Sequence, residues 1–453
     1  MSLITELQKL VPENQVTTNL DHLQVVSKDE STLDAVLPLA LVWVDSAHQI
    51  SDIIKLCMKS NTPITTRGAG SALEGSTIPS ANGIVLDVSR MTDILEFSPD
   101  DLQVKVQPGI IYDHLNEYLK KESLFFPPSP GGSGDIATIG GMVSTNASGI
   151  YSVKYGGTKE YVLELEIVTG DGTIMKIGNR AIKRSSGYNL VDLISGSEGT
   201  LAVITAITLK LAGLPEGRLK TAFKFKSETD AAQAVSEICK YGIDIAAIEY
   251  LDTNVMEALN LLKDYKLEEI PALFLEFHGS EEVISSNNEM ASSICEELGG
   301  SVLTLADGQN PWEIRHYVTD SIKHRKPGYT IIRNDVAFPI SKLPEMVNYC
   351  HQLSNESNIL IHAFGHVGLG LLHALILADK NDQTEWNKAI EINDLIITKT
   401  LEYGGTISGE HGIGLGHKNL FALEHGNSIS LMRAIKKQFD PQNILNPGKI
   451  FDI

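Results

Sequence analysis

Three loops dense in glycine and other small side chains constrain this 453-residue chain more than any other feature. The first runs Thr66-Arg67-Gly68-Ala69-Gly70-Ser71-Ala72-Leu73-Glu74-Gly75. It contains a GxG, but Leu73 stands where a dinucleotide fingerprint needs its third glycine. No helix follows: Pro79 and Asn82-Gly83 intervene, and Ile84 to Val88 then reads as a strand. Strand–loop–strand is the wrong context for a βαβ crossover. Gly70 to Gly75 also begins like a Walker loop, but Ser76 replaces the lysine that must reach the phosphates. What remains is a loop whose backbone N–H groups, beside Arg67, can cradle a pyrophosphate without a helix dipole. Taken alone, it is equally readable as a tight turn between strands.

The second loop leads from Pro127-Pro128-Ser129-Pro130-Gly131-Gly132 to Thr138-Ile139-Gly140-Gly141-Met142-Val143-Ser144-Thr145-Asn146-Ala147-Ser148-Gly149. Small residues at that density let a flat ligand approach the backbone. The third, Ser195 to Thr205, runs from a glycine turn into a β-branched strand. Three such loops in one domain predict a long, extended cofactor.

The surrounding pattern is mixed. Ala40 to Val44 reads as a strand, and Ser46 with Gln49 as a capping box. Ile50, Ile53, Ile54 and Cys57 follow at helical spacing, and Pro63 to Thr66 is the next strand. Gly170-Asp171-Gly172 between Glu164–Thr169 and Thr173–Ile177 signals a hairpin. The texture changes at Leu211 to Gly217, a domain boundary. Beyond it, strands such as Thr221–Phe225 and Ala272–Phe277 alternate with helices through Ala231–Cys239 and Glu282–Leu298. The pattern predicts an α+β chain with a first domain over 1–212 and a second over 213–424, its antiparallel sheet covered on one face by helices. Residues 425–453 are expected to pack back on the first domain.

Composition narrows the function. The formal charge is −20, from 37 basic and 57 acidic residues. Such a surface repels nucleic acid and anionic membranes. Cys57, Cys239, Cys295 and Cys350 form no CxxC pair, which argues against an iron–sulfur cluster, a cysteine zinc site or a disulfide framework. Met1 to Val16 reads as an amphipathic helix and not a signal peptide. The longest near-apolar run, Ala35 to Val44, is broken by Pro38 and falls short of a span of ~20 residues. The expected location is the cytoplasm.

His362, His366 and His373 lie close together in sequence, and Gly404 to Gly412 adds Glu410 and His411. On a helix, His366 and His373 would share a face. Gly368 and Gly370 argue instead for a turn between two strands, which also brings the imidazoles together. Two histidines and a carboxylate make a catalytic zinc set with one position open, and the same donors suit iron or manganese. Chance clustering among the 13 histidines is the alternative.

Arg67 to Ser71, Thr138 to Gly149, Ser197 to Thr205, His366 to His373, Gly404 to Gly412 and Asn446-Pro447-Gly448-Lys449 together carry a family resemblance over nearly the whole chain. The chain resembles the FAD-linked oxidases of the vanillyl-alcohol-oxidase type, within them the D-2-hydroxyacid dehydrogenase group. The resemblance implies a two-part FAD-binding domain plus a cap domain. It implies that Arg67, Gly68, Ala69, Gly70 and Ser71 hold the FAD pyrophosphate. Pro130, Gly140, Gly141, Ser144, Asn146 and Gly149 would then lie along the cofactor, Glu198, Gly199 and Ile204 would contact its adenosine half and ring, and Asn446 would approach the isoalloxazine. Ser71 stands where some relatives attach FAD through a histidine, so non-covalent FAD is expected.

The resemblance further implies His366, His373 and Glu410 as ligands of a divalent metal, zinc first with iron or manganese open, and His411 as catalytic base. Arg315, Thr319 and Arg333 would bind the substrate carboxylate; Arg315 and Thr319, four apart, read as one helix face. An arginine fork suits a carboxylate, with a surface ion pair as the alternative for each arginine. The chain departs from the family motif H-x-G-D-G-N-x-H: Leu369 and Leu371 replace the Asp and Asn, removing two hydrogen-bonding groups from the metal's surroundings. With Leu375, this suggests a site for a small aliphatic side chain.

The implied reaction is FAD-dependent oxidation of a D-2-hydroxy acid, best D-lactate to pyruvate, by hydride transfer to the flavin. Alternatives are an oxidase using oxygen and a non-catalytic flavoprotein subunit of an electron-transfer complex. An electron-transfer protein or a quinone is the expected acceptor. A homodimer is left open.

Overall fold

The helix Ala47–Ser60 shows how the first part of the chain folds. Ser46 caps it by accepting from Gln49 N–H at 3.3 Å, and the Gln49 side chain accepts from Asp45 N–H at 2.8 Å, one residue outside the usual reciprocal cap. Asn61, in the left-handed region at φ 50°, ends it. Its stripe of Ile50, Ile53, Ile54 and Cys57 is fully buried in a core with Leu7, Val42 and Leu86. The computed structural model describes residues 2–263, 265–305 and 310–453.

Two compact units result. The first comprises residues 1–148, 157–214 and 410–453, and the second 149–156 and 215–409. The return to the first unit thus begins at Glu410, where the sequence suggested 425, and the second unit includes a short excursion at 149–156.

In the first unit, strands β1 (Val16–Thr17), β2 (Ala40–Trp43), β3 (Ile64–Arg67) and β4 (Ile84–Asp87) form a sheet in the order β1-β2-β4-β3. β2, β4 and β3 are parallel. A second sheet contains β5 (Ile94–Ser98), β6 (Gln103–Val106), β8 (Val162–Thr169), β9 (Ile174–Gly178) and β10 (Ala202–Lys210) in the antiparallel order β5-β6-β10-β8-β9. β7 (Leu124–Phe125) pairs with β11 (Ala212–Gly213). The β8–β9 hairpin turns at the glycines expected. The N-terminal helix is shorter than its amphipathic pattern: it covers Leu3–Leu10 and stops at Val11, because Pro12 disfavours helical backbone before it.

The second unit is a seven-stranded antiparallel sheet in the order β15-β12-β14-β13-β17-β18-β16. Its strands are β12 (Gly217–Lys224), β13 (Ala247–Leu251), β14 (Ala272–Gly279), β15 (Ser301–Val302), β16 (Thr330–Ala337), β17 (Ile361–Gly365) and β18 (Leu371–Ala378). Helices cover both faces, not one as expected. Helices 253–263 and 318–325 pack with Leu375 and Leu377 in one core. On the other face, Tyr250 reaches Glu228 of helix 228–240, and Asn334 reaches Asn393 of helix 383–402 at 3.0 Å. Double coverage explains why every residue of β13, β17 and β18 is buried and their sequences scarcely alternate. No described helix is long and apolar enough to cross a membrane.

Candidate active site

The three small-residue loops converge on one cleft in the first unit. Gly68 to Leu73, Pro130, Gly140, Gly141, Ser144, Glu198, Gly199 and Ile204 line it, and its empty space, open mouth included, is about 1210 Å³. Ser148, Glu410 and His411 also line it. Two glycines are required by close approach. A Cβ at Gly68 would overlap the Thr138 hydroxyl, and one at Gly140 would lie 2.5 Å from Pro108 Cβ and 2.8 Å from its carbonyl oxygen.

Arg67 is not among the lining residues. It is buried behind the loop, donates from Nη1 to the Lys28 carbonyl at 2.8 Å, and packs beneath Gly70. Among the described residues neither lysine nor arginine lines the cleft, so an anionic ligand there would be met by backbone N–H groups and by hydroxyls such as Ser71 and Ser76. Asn146, Gly149 and Asn446 also lie outside the lining. Asn146 turns the chain at φ 53° and accepts from Lys159 N–H at 3.0 Å. Asn446 Nδ2 donates to the carbonyls of Ser76 and Glu198, both at 2.8 Å, and so braces the wall from behind. Gly149 belongs to the second unit.

The returning segment is fastened to the cleft wall. Ser148 Oγ donates to Glu410 Oε2 at 2.6 Å, and the Glu198 carboxylate accepts from Ile413 and Gly414 N–H, both at 2.8 Å. Burial pushes the Glu198 carboxyl up to about 7, against those two hydrogen bonds.

The second unit gathers a separate row of polar groups on one sheet face. His366 ends β17 and His373 lies in β18; their rings are 5.5 Å apart between centroids and nearly perpendicular. The turn between them needs its glycines: Gly370 sits at φ 72°, where a side chain would meet the Phe338 carbonyl. Each histidine has a buried carboxylate beside Nδ1. Glu249 Oε1 is 2.6 Å from His366, and Asp335 Oδ1 is 3.4 Å from His373. Glu249 also receives Arg315 Nε at 2.7 Å. Burial raises the Glu249 carboxyl, but His366 and Arg315 outweigh it and hold the group below its ordinary range.

Leu369 is half exposed and Leu371 packs against Gly409. The carboxylates beside the imidazoles, Glu249 and Asp335, come from β13 and β16. Arg315 lies in a 3-10 turn, Pro311–Tyr317, and Thr319 in the following helix, Val318–Arg325; they do not share one helix face as the spacing suggested. Arg333 faces Leu375 across the β16–β18 ladder.

Two family models divide the chain between them. The FAD binding domain matches residues 38–178, and the C-terminal domain of FAD linked oxidases matches 214–450. The chain belongs to the FAD-linked oxidases. It is therefore a flavoprotein oxidoreductase. This FAD-linked oxidase is 35% identical to the probable mitochondrial D-lactate dehydrogenase of Danio rerio, over 94% of this chain and 87% of that protein. It is 33% identical to the glycolate oxidase subunit GlcD of Bacillus subtilis (strain 168), over 97% and 94% respectively. Its fold is that of p-cresol methylhydroxylase, with a TM-score of 0.84 at 17% identity over 99% of this chain and 96% of that one.

The cleft suits the FAD of this oxidase family: it is roomy, walled largely by glycine, alanine and serine, and closed to side chains at Gly68 and Gly140.

His362, a histidine the sequence grouped with the others, has a different part. It is fully buried, its Nδ1 is 3.4 Å from the Leu375 carbonyl, and burial together with Arg325 pushes its imidazole down to about 3. The folded oxidase therefore keeps His362 neutral where the unfolded chain takes a proton. Its contribution to stability is full above pH ~6.5 and is lost as the pH falls from there toward ~3. Between pH ~7.5 and ~4.5 the wild type is expected to lose roughly 2–3 kcal/mol more than His362→Leu. Urea melts at the two pH values check this; equal losses in both proteins contradict it.

Proposed function

We propose that this chain oxidises a D-2-hydroxy acid, D-lactate foremost, to the 2-oxo acid with non-covalent FAD. The observation that carries the reading is the charged row Arg315–Glu249–His366 beside His373 and Asp335, in a chain whose other unit holds the small-residue cleft. The chain's relatives, a probable D-lactate dehydrogenase and a glycolate oxidase subunit by name, support the same substrate class.

Arg315 binds the substrate carboxylate. Glu249 occupies its Nε, fixing the guanidinium plane so that the terminal nitrogens are presented as a fork. Phe364, 5.1 Å from the guanidinium carbon, supports it from one side. Arg333 and Thr319 are assigned lesser contacts to the same substrate. His411 removes the proton of the substrate hydroxyl. Bound FAD supplies the two-electron acceptor for the hydrogen leaving C2.

A divalent metal, zinc first, is proposed on His366, His373 and Glu410, whose two imidazoles and carboxylate are the donor types such an ion takes. Both imidazoles have a carboxylate beside Nδ1, the arrangement that orients a histidine to coordinate through Nε2. Gly409, immediately before Glu410, is tied to Asp335 by its N–H at 3.1 Å, and Ser408 Oγ reaches Asp335 Oδ2 at 3.2 Å. A bound cation would acidify the substrate hydroxyl.

A separate electron-transfer protein or a quinone is proposed to reoxidise the flavin. With D-lactate and an artificial dye as acceptor, pyruvate is expected to form one for one with dye reduced. In air without dye, peroxide is expected to be a minor product. Stoichiometric peroxide at the dye-supported rate would make the protein an oxidase instead.

A further inference from the structure

The residues that bind Glu198 give it a task other than contact with the cofactor. Glu198 has a φ of 51°, a left-handed backbone uncommon for a non-glycine residue. Its N–H donates to the Ser144 carbonyl at 2.8 Å, and its carbonyl accepts from Asn446. The backbone is thereby locked into the cleft wall. The fully buried carboxylate points at the returning segment and takes Ile413 N–H on Oε1 and Gly414 N–H on Oε2. Gly412, at φ 86°, has no room for a side chain: a Cβ there would lie 2.9 Å from Glu198 Cδ. Glu74, itself bonded through its carbonyl to Leu415 and Gly416, and Lys449 are the other charged groups facing Glu198.

We propose that Glu198 is a positioning residue: its two-pronged grip on Ile413 and Gly414 sets where His411, two residues earlier, stands in the cleft. This rests on the assignment of His411 as base. A two-oxygen acceptor held in a cleft wall fixes a catalytic loop more tightly than backbone packing does, because both N–H donors lose their partners if the loop shifts. Ser148, through Glu410, is the second fastening of the same loop.

Glu198→Gln tests it. The carboxamide keeps the volume but sets an N–H₂ against one of the two N–H donors. FAD affinity, from quenching of flavin fluorescence, is expected to change less than ~3-fold. Turnover per bound flavin is expected to fall ~10- to 100-fold with KM nearly constant, as for a small displacement of a catalytic group. The pH dependence of kcat should move with it, and trypsin should cut after Lys418 several-fold faster as the loop loosens. Glu198→Asp, which keeps the charge but reaches one N–H, should fall between, and it serves if the Gln variant does not fold. Unchanged turnover, pH profile and cleavage would overturn the proposal. So would a lowered melting temperature or FAD content with normal kcat per flavin and an unmoved pH profile, since that describes a purely structural residue. His411→Ala is measured beside them. If it retains turnover, the base assignment fails; the grip on the loop is then judged by trypsin cleavage, where a wild-type rate in Glu198→Gln rejects it and a faster one upholds it.

Discussion

Replacing His411 by alanine is expected to lower kcat with D-lactate by ~10²- to 10⁴-fold, the usual contribution of a positioned general base. The flavin should stay bound, because His411 forms one margin of a cleft otherwise walled by the three small-residue loops. The loss should appear in the reductive half-reaction: flavin bleaching under anaerobic conditions slows by the same factor, while reoxidation by dye is untouched. His411→Gln separates size from proton transfer, since it fills the space without a basic nitrogen. Turnover within ~10-fold of wild type in both variants contradicts the assignment.

Arg315→Ala is expected to have the second large effect. Charge-assisted hydrogen bonds are worth about 1.5–3 kcal/mol each, so a lost two-bond contact to a carboxylate lowers kcat/KM by roughly 10²- to 10⁴-fold. Part of that loss has another source. Glu249 is fully buried and shares its charge between Arg315 and His366; without the arginine, its hold on His366 is altered as well. Arg315→Lys resolves the two. An ammonium can still pair with Glu249, but it cannot offer a planar fork to the substrate at the same time. The lysine variant should therefore recover stability to urea but remain ~10-fold or more impaired in KM. If Arg315→Ala raises KM no more than Arg333→Ala does, Arg315 is only the structural partner of Glu249.

The features visible in the sequence are those that depend on near neighbours. The capping box at Ser46, the stripe through Cys57 and the glycine turn between His366 and His373 are local, and each folds as its spacing dictates. The cleft was legible for a related reason. Glycine and serine runs with no helix after them leave few options beyond a bound ligand or a tight turn, and the three loops do meet.

The partners of the histidines were not legible. Glu249 and Asp335 reach them only because β13, β17, β18 and β16 are neighbours in the sheet, an order that no local pattern encodes. The same holds for Arg67, whose place beside a glycine loop suggests a phosphate contact. Buried, it instead satisfies the Lys28 carbonyl, with Asp29, Glu30 and Asp87 nearby to offset its charge. Glu198, expected from the family resemblance to contact the cofactor, also turns its carboxylate to the returning segment. Its partners Ile413 and Gly414 lie more than 200 residues away, beyond any local pattern.

The central claim is that this flavoprotein takes electrons from a 2-hydroxy acid of D configuration. Anaerobic titration of the purified yellow protein with D-lactate and with L-lactate, followed by flavin absorbance, tests it most directly. Complete bleaching by one equivalent-scale addition of D-lactate, with L-lactate inert, is the expected result. Bleaching by L-lactate instead, or by neither D-lactate nor any other short D-2-hydroxy acid, would contradict it.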